Sequence, residues 1–255
     1  MDTETLEHKG MTTFEGTLKR AKEGNALSQN LLGLWILHGD LPEGVEVDED
    51  PFELIRMSAE QGFAAAQYNM GVILETGLGG KTADATEEKL AFDWYRKAAN
   101  QGLREAQYEL GLLYDNGIGL KQNYAKASFW YRKAAEQGHV EAQDNLAAMY
   151  NNGEGVKESS KKANYWYLKA AIKGSREAQY YLGEDCSMGD WDLAAAARWY
   201  WSAASGGHSE AQNVLGCMFR DGRGVIHDKN EAKNWFRRAA EKGNALAQRN
   251  LDQMN

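Results

Sequence analysis

The segment that comes nearest to a familiar chemical site in this 255-residue chain is a short glycine-rich stretch. Gly79, Gly80, Lys81 and Thr82 match the end of a phosphate-binding loop, in which backbone N–H groups and a lysine cradle phosphates. The first glycine of that motif would fall at Glu75, and a helix rather than a strand is predicted before it. Later Gly-x-Gly segments lack the strand and the third glycine of a dinucleotide site. We interpret all of these segments as connectors between helices.

The remaining residue types offer no catalytic constellation. The sequence contains no HExxH motif, no Cys–His cluster and no GxSxG nucleophile elbow. Metal-assisted and serine-type hydrolysis therefore have no candidate residues. We expect no catalytic residue, no bound cofactor and no metal site.

Tyrosines set among acids form the pattern best suited to recognition. Tyr108, Leu112 and Asp115 are spaced i, i+4, i+7, so they share one face of a helix. Tyrosine offers a large, stiff surface with a polar tip and is enriched in binding hot spots. This face, repeated along the chain, predicts a groove that binds a protein partner. The predicted partner-binding residues are Tyr68, Val72, Glu75, Tyr108, Leu112, Asp115, Asp144, Asn151, Tyr180, Tyr181, Glu184, Asn213 and Arg220.

The elements that position this face repeat along the chain. The tract WYRKAA occurs at Trp94 and Trp130, and altered copies begin at Trp166, Trp199 and Trp235. The spacings are 36, 36, 33 and 36 residues, a period typical of stacked repeat proteins. Within each copy the apolar residues follow i, i+3, i+4, i+7, i+8, which predicts a helix with one buried stripe that includes the tryptophan.

A second tract precedes each tryptophan tract, as in AQYELG from Ala106 and AQYYLG from Ala178. It also has helical spacing, so each unit is a hairpin of a helix A and a helix B. A glycine recurs inside helix A, with Ala147 as the exception, and implies close approach of another backbone or of a Trp or Tyr ring. Glycines after the helices predict left-handed C-caps. Those predicted caps are Gly39, Gly77, Gly117, Gly153, Gly189 and Gly222 for helix A, and Gly62, Gly102, Gly138, Gly174, Gly206 and Gly243 for helix B.

With these tracts the chain resembles the Sel-one-like repeat (SLR) family, which is related to tetratricopeptide solenoids. The resemblance rests on A-x-x-x-LG-x-x-Y-x-x-G-x-G followed by WYRKAAEQG and covers residues 25–255. It implies an all-α, right-handed α/α superhelical solenoid of about six SLR hairpins plus capping helices. It also implies protein–protein interaction, since family members include signalling adaptors and immunity proteins for secreted toxins.

The predicted organisation is an N-terminal segment and capping helix at residues 1–24, followed by one solenoid domain at residues 25–255. The predicted units span 26–62, 63–102, 103–138, 139–174, 175–207 and 208–243, with a C-terminal half-repeat at 244–255. The first A–B connection carries six acids and no basic residue from Glu43 to Glu53, and it is a second candidate docking segment.

Charge and hydropathy exclude other partner classes. The net charge is −8, whereas nucleic-acid binding needs a concentrated basic face. No apolar run of 18 residues occurs, so we expect no membrane insertion. The start of the sequence is acidic and does not match a signal peptide, which favours the cytoplasm, with the periplasm or export retained if a leader was removed. We expect a monomer.

The favoured function is therefore non-catalytic binding of a protein through the concave face of the A helices. The sequence is consistent with two roles: a bacterial inhibitor or immunity protein for a toxin or other effector, and a multi-partner scaffold or signalling adaptor. A hydrolase acting on cell-wall or β-lactam-like substrates is the less favoured third reading.

Overall fold

The computed structural model describes residues 13–78, 85–188 and 192–254, and this part of the chain contains fourteen α-helices and no strand. Helices alternate as A and B after a first capping helix, and each A helix packs along the B helix that follows it. The capping helix is α1 (Phe14–Lys22), inside the predicted range. The A helices are α2 (Ala26–His38), α4 (Ala64–Thr76), α6 (Arg104–Asn116), α8 (Val140–Asn152), α10 (Arg176–Ser187), α12 (Ser209–Asp221) and α14 (Ala245–Asp252). The B helices are α3 (Pro51–Glu60), α5 (Ala85–Asn100), α7 (Tyr124–Glu136), α9 (Ser160–Ile172), α11 (Leu193–Ser205) and α13 (Lys229–Glu241).

The helices form two compact units that divide between Gln137 and Gly138. The first unit holds α1 to α7 and the second holds α8 to α14. Each unit has its own buried clusters, in which the alanines of the repeat tracts pack against leucine, methionine and aromatic side chains. The predicted domain and unit boundaries stay a prediction.

Glycines end the A helices as predicted wherever the chain is described. Gly39, Gly77, Gly117, Gly153 and Gly222 adopt left-handed φ angles between 66° and 73°, a conformation that glycine tolerates without a Cβ clash. Gly189, the sixth predicted cap, lies outside the described residues. The left-handed glycines after B helices are also in place, again with φ above zero, at Gly62, Gly102, Gly138, Gly174 and Gly243.

One predicted B-helix cap is wrong. Gly206 has a right-handed conformation with φ −72°, and Gly207 takes the left-handed position with φ 93°. The reason is register: Gly206 holds the place that Gln61, Gln101 or Lys242 holds in other repeats, just before the left-handed residue.

In four A helices the internal glycine makes room for an aromatic ring of the paired B helix, whereas Gly33 in α2 faces the Ile55 side chain and the Pro51 carbonyl. A Cβ built on Gly71 would lie 2.6 Å from the Tyr95 ring, and one on Gly111 would lie 2.5 Å from the Tyr131 ring. The same relation joins Gly183 to Tyr200 at 2.8 Å and Gly216 to Phe236 at 2.6 Å. The predicted ring contact is therefore found at Gly71, Gly111 and Gly183 with tyrosine and at Gly216 with phenylalanine, and the predicted backbone contact is found at Gly33. The absence of a side chain lets the two helices approach closely.

Ala147 is the exception, and its hairpin packs differently. Its B-helix partner ring, Tyr167, is stacked on Tyr181 of the next A helix, with ring centroids 3.9 Å apart and an interplanar angle of 27°. A methyl group at this position would meet a ring seated as Tyr131 is seated on Gly111. The Ala147 side chain therefore accounts for the stacking of Tyr167 on the neighbouring repeat.

The buried stripe of the B helices differs from the prediction at its tryptophan. Trp94 and Trp130 are only half-buried, whereas Trp166 and Trp235 are buried. The deepest aromatic is instead the next residue, such as Tyr95 or Tyr131, because it faces the A-helix glycine. Sequence periodicity identified the correct stripe, and the glycine contact decides which member of the Trp–Tyr pair lies at its centre.

A glutamine ladder joins successive repeats of the first unit. The glutamine of each AQ tract donates to an alanine carbonyl of the preceding helix, as Gln107 Nε2 does to Ala99 O at 3.2 Å. Its Oε1 accepts from the glutamine that ends the next B helix, as in Gln137 Nε2 to Gln107 Oε1 at 2.8 Å. Gln137 Nε2 also donates to the Gly102 carbonyl at 3.0 Å.

In the second unit, lysine takes the place of the glutamine that ends the B helix. Lys242 Nζ donates to the Gly207 carbonyl at 2.8 Å, which is the contact equivalent to Gln137 with Gly102. Gln212 keeps its bond to the Ala204 carbonyl at 2.9 Å. Its Oε1 is buried and has no hydrogen-bond partner among the described residues. A lysine satisfies the carbonyl and leaves the glutamine oxygen unpaired.

Candidate functional site

The predicted partner-binding residues lie on the A helices, and none of them is fully buried. Glu75 is exposed, and the other twelve are half-buried, a level that allows contact with a ligand while their positions are held by packing. Because the two units are described separately, the face of α4 and α6 and the face of α8, α10 and α12 are treated in turn. We call these two surfaces the first and the second A face.

Tyrosines at one repeat position form the framework of the first A face. Tyr68 in α4 and Tyr108 in α6 each lie beside the buried tyrosine of their own hairpin, with ring centroids 5.7 Å and 5.9 Å apart. Burial is the main cause that raises the pKa of Tyr68, and nearby carboxylates raise it further. Val72 packs at the edge of the same cluster, and Leu112 holds the equivalent position one repeat later.

The acids of this face receive hydrogen bonds from the buried tyrosines. Tyr95 crosses over Gly71 and donates through its hydroxyl to Glu75 at 2.7 Å. Tyr131 crosses over Gly111 and donates to Asp115 at 2.9 Å. The two acids therefore have a structural role in addition to any role in binding, and the buried tyrosines present their hydroxyls to the A face. Sequence analysis missed this contribution, although the recurring Gly and Tyr were its signal.

Glu109 is a further residue of the first A face that the sequence analysis did not select. It is half-buried, and burial together with the charge of Glu75 raises the pKa of its carboxyl to about 7. Its charge also contributes to the raised pKa of Tyr68, which places the two side chains close together. The first A face thus combines two tyrosine rings with a set of carboxylates, one of which, Glu109, has a raised pKa.

The second A face begins with a half-buried carboxylate. Asp144 accepts from Ser175 Oγ at 2.7 Å, while its other oxygen is buried and has no hydrogen-bond partner within the described residues. Burial is the main cause that raises the pKa of Asp144 to about 6, and the charges of Glu141 and Glu177 add to it.

Aromatic residues of α10 form the centre of the second A face. Tyr180 lies parallel to the His208 ring at 4.6 Å between centroids, and burial with the nearby Glu184 raises its pKa. Tyr181 donates to Asn151 at 2.7 Å. Glu184 accepts from the Tyr200 hydroxyl at 3.2 Å, so it repeats the tyrosine–acid contact of the first unit one turn earlier in its helix.

His208 is a residue of this region that was not selected from the sequence. Its Nδ1 accepts from the Ala211 backbone N–H at 3.2 Å and thereby caps α12. Its Nε2 lies 3.1 Å from Glu177 Oε2. The ring is buried against Tyr180, so His208 holds Tyr180 in place in addition to capping α12.

The last two predicted positions are engaged in contacts within the chain. Asn213 Oδ1 accepts from Asn250 Nδ2 at 2.9 Å, which links α12 to α14. Arg220 pairs with Asp221, with Nε 2.7 Å from Oδ1. These contacts use part of the polar capacity of both side chains, so the tyrosines of each face are the stronger candidates for binding.

The described residues contain neither a membrane-spanning helix nor a cluster of metal-binding side chains. Across residues 13–78, 85–188 and 192–254, none of the helices combines the length and the apolar character needed to cross a bilayer. The same residues hold no group of three or more His, Cys, Asp or Glu side chains placed to bind a metal ion.

Comparison with known proteins identifies the repeat. A family model described as Sel1 repeat matches residues 26–51, 64–103, 104–139, 140–175, 176–208 and 209–244. A crystal structure of c5321, a protective antigen of uropathogenic Escherichia coli strains that displays an SLR fold, superposes with a TM-score of 0.86 at 33% identity. The alignment covers 94% of this chain and 51% of c5321, so the chain spans about half the length of that protein.

Two further structures support the fold. A Sel1 repeat protein from Oxalobacter formigenes matches with a TM-score of 0.70 and 32% identity, covering 92% of this chain and 90% of its own. An immunity protein from Pseudomonas aeruginosa matches with a TM-score of 0.51 and 18% identity over 86% of this chain and 83% of its own, a likeness of fold alone. The predicted fold class, an all-α solenoid of SLR hairpins, is confirmed.

Proposed function

The chain belongs to the Sel1 repeat family, and on that premise we propose that it is a non-catalytic module that binds a protein partner through the A faces. Sel1 repeat proteins are generally protein-interaction modules. One observation carries the choice of surface. A half-buried tyrosine recurs at the same A-helix position in three repeats, as Tyr68, Tyr108 and Tyr180, each within 6 Å of the buried tyrosine of its own hairpin.

The chemistry of the A faces favours a partner with cationic side chains. Tyrosine rings attract a lysine or arginine cation through their negative faces, and carboxylates such as Glu75 and Asp115 provide complementary charge. The A and B helices of each of these hairpins pack closely beneath the tyrosines, because the A-helix glycine lies against a ring of the B helix. A preformed surface loses little conformational entropy when a partner docks.

Within this function, the proposed role is that of a bacterial inhibitor or immunity protein. The Pseudomonas aeruginosa relative is described as an immunity protein, and this chain shares its fold. A scaffold or signalling adaptor is the alternative, and it would use the same surface for several partners. The proposed location is the cytoplasm for the chain as given, with the periplasm or export as the alternative if a leader is removed.

A site-specific crosslinking experiment tests the surface. A photoreactive phenylalanine analogue is placed at Tyr108 on the first A face, and in a second protein at Phe129, which is 51% exposed on B helix α7 of the same unit. In the native host, a discrete adduct from position 108 and none from position 129 is the expected result. An adduct from 129 alone would show that the partner docks on the B helices.

Affinity measurements on the captured partner give the quantitative test. Tyr68→Ala with Tyr108→Ala should weaken binding at least tenfold, about 1.4 kcal/mol. Arg96→Ala is the matched control, because Arg96 is exposed on a B helix, where it pairs with Asp93 and covers the Phe92 ring of the same helix. Asp115 is avoided, since its substitution would also remove the acceptor of the buried Tyr131 hydroxyl. Unchanged affinity of the double variant would refute the A face as the docking site.

A captured partner also separates the two roles. An inhibitor should abolish the activity of one toxin or enzyme at a one-to-one ratio. An adaptor should leave its partners active and bind more than one of them. Position 108 should crosslink in either case, so the surface and the role are tested independently.

A further inference from the structure

The outward face of two consecutive B helices in the second unit differs from that of every other repeat. One B-helix position, two residues after the repeat tryptophan or after Leu54 in α3, holds arginine in α3, α5, α7 and α13. Those residues are Arg56, Arg96, Arg132 and Arg237. The same position holds Leu168 in α9 and Trp201 in α11. An outward position that is charged in four repeats has become apolar in two adjacent ones.

The substitutions belong to a larger apolar surface. On α9, Tyr165, Leu168 and Ile172 are spaced i, i+3, i+7 and are exposed by 53%, 44% and 74%. On α11, Trp201 is 46% exposed. Trp201 also packs edge-on against Trp235 of α13 with centroids 5.4 Å apart, so α11 and α13 lie side by side, and the repeat implies the same relation between α9 and α11. We call the surface formed by these four exposed side chains the outer patch.

A cleft opens beside Trp201. It has a volume of about 350 Å³ and is lined by Ala194, Ala197, Arg198, Trp201, Gly224 and Val225. In the first unit the place of Ala197 is taken by Phe92, whose ring packs against Tyr114 and is covered by Arg96. The small side chain of Ala197 therefore leaves open a space that an aromatic ring occupies elsewhere in the same chain.

The charge around the outer patch is opposite to that of the whole molecule. Helices α9 and α11 contain no aspartate or glutamate, although the chain carries 37 acidic residues against 29 Lys and Arg. The cations on these helices are Lys161, Lys162, Lys169 and Arg198. Acids from neighbouring segments stand at the edges: Asp185 accepts from Asn164, and Asp192 caps the start of α11.

We propose that the outer patch docks an acidic segment of a partner protein, which inserts an apolar side chain into the cleft beside Trp201. Aromatic and aliphatic anchors surrounded by cations match a segment in which acids flank an apolar residue. The open cleft beside Trp201 is lined mostly by apolar groups, against which an apolar side chain of the partner can pack. This surface lies on the B helices and is separate from the A faces, so it adds a second partner site to the proposed function.

The test uses a phage-displayed library of random peptides selected on the full chain. Peptides that also bind the variant Leu168→Arg with Trp201→Arg are removed by counter-selection. This variant restores the arginine that four other repeats carry at this position, so it is expected to fold. The expected result is enrichment of peptides with several acids around an aromatic or aliphatic residue.

Synthetic copies of the enriched peptides are then measured by fluorescence anisotropy. They should bind at least tenfold more weakly to the double variant and to Ile172→Glu, a change at a 74% exposed residue that cannot disturb the core. Their affinity should fall as salt rises. The control is Tyr68→Ala with Tyr108→Ala, on the first A face, which should bind them as the wild type does.

Three outcomes would overturn the proposal. The first is enrichment of neutral or basic peptides, and the second is equal binding by the outer-patch variants. The third is that no peptide is enriched while phosphatidylserine vesicles bind the wild type and not the variants, which would make the outer patch a membrane-contact surface. Loss of A-face binding without loss of peptide binding, or the reverse, would separate this proposal from the proposed function.

Discussion

Replacing Lys242 with glutamine should stabilise the second unit, because it completes the glutamine ladder there. In the first unit the equivalent residue, Gln137, donates both to a glycine carbonyl at 3.0 Å and to the oxygen of Gln107 at 2.8 Å. Lys242 makes only the first of these contacts, and the oxygen of Gln212 is buried without a partner in the described chain. Lys242→Gln can make both.

The magnitude follows from the bonds gained and lost. Pairing a buried acceptor contributes about 0.5–1.5 kcal/mol for a neutral hydrogen bond, and leaving it unpaired costs about 1–3 kcal/mol. Removing a cation from the end of α13 loses about 0.3–1 kcal/mol of interaction with the helix dipole. We expect a net gain of about 1 kcal/mol in the free energy of unfolding, which corresponds to a rise in Tm of about 2–4 °C.

Three companion variants make the assay decisive. In urea denaturation followed by circular dichroism, Lys242→Met should be less stable than wild type, because it removes the charge and leaves the Gly207 carbonyl unpaired. Gln101→Lys should lose about as much as Lys242→Gln gains, since it breaks an intact bond to Gln67. Lys157→Gln, on an exposed loop, reports the effect of charge alone. If Lys242→Gln is no more stable than wild type, or if Met and Gln give the same value, the argument from the ladder is wrong.

Three further predictions concern packing and titration. Gly111→Ala should destabilise the first unit by about 1–3 kcal/mol, since its methyl group would overlap the Tyr131 ring and overpacking outweighs the gain in helix propensity. Trp166→Ala should cost about 3–5 kcal/mol in thermal or chemical unfolding, whereas the half-exposed Trp201 should cost much less when changed to alanine. Folding raises the pKa of the Glu109 carboxyl from 4.5 to about 7, so the folded state binds more protons between these values and stability falls as pH rises through them. Glu109→Gln should therefore be more stable than wild type at pH 8, by about 1–3 kcal/mol, and no more stable at pH 4.

Each of these has an outcome that contradicts it. A Gly111→Ala protein with wild-type stability would mean that Tyr131 can move aside at no cost, as the Tyr167 ring does beside Ala147. Equal losses at Trp166 and Trp201 would invalidate the assignment of inner and outer B-helix faces. A stability difference between Glu109→Gln and wild type that does not change between pH 4 and pH 8 would show that Glu109 keeps an ordinary carboxyl pKa.

The sequence predicted the helices well because their signals are local and repeated. The WYRKAA and AQYELG tracts fix the period, and glycines such as Gly117 and Gly153 mark where A helices end. The failure at Gly206 arose where two glycines are adjacent, so that composition alone could not decide which one adopts the left-handed conformation.

The candidate site was predictable only in outline. Helical spacing placed Tyr68 and Tyr108 on one face, but it could not show that Tyr131 reaches through the hairpin to Asp115. That contact depends on the distance between two helices, which the A-helix glycine sets. Glu109 was missed because its place is taken by asparagine or another residue in other repeats, and its raised pKa depends in part on Glu75 of the preceding repeat.

The glutamine ladder has a consequence for how such a chain can change over evolutionary time. Gln61 with Gln29, Gln101 with Gln67 and Gln137 with Gln107 are the same contact made three times between neighbouring repeats. If a whole repeat were duplicated or deleted, the two newly adjacent repeats would present the same donor and acceptor to each other. A duplication or deletion that is not a whole number of repeats would leave a donor facing the wrong partner. The ladder therefore makes the repeat the natural unit of insertion and loss, and it allows the number of repeats to change while the tyrosines of the remaining A faces keep their supports.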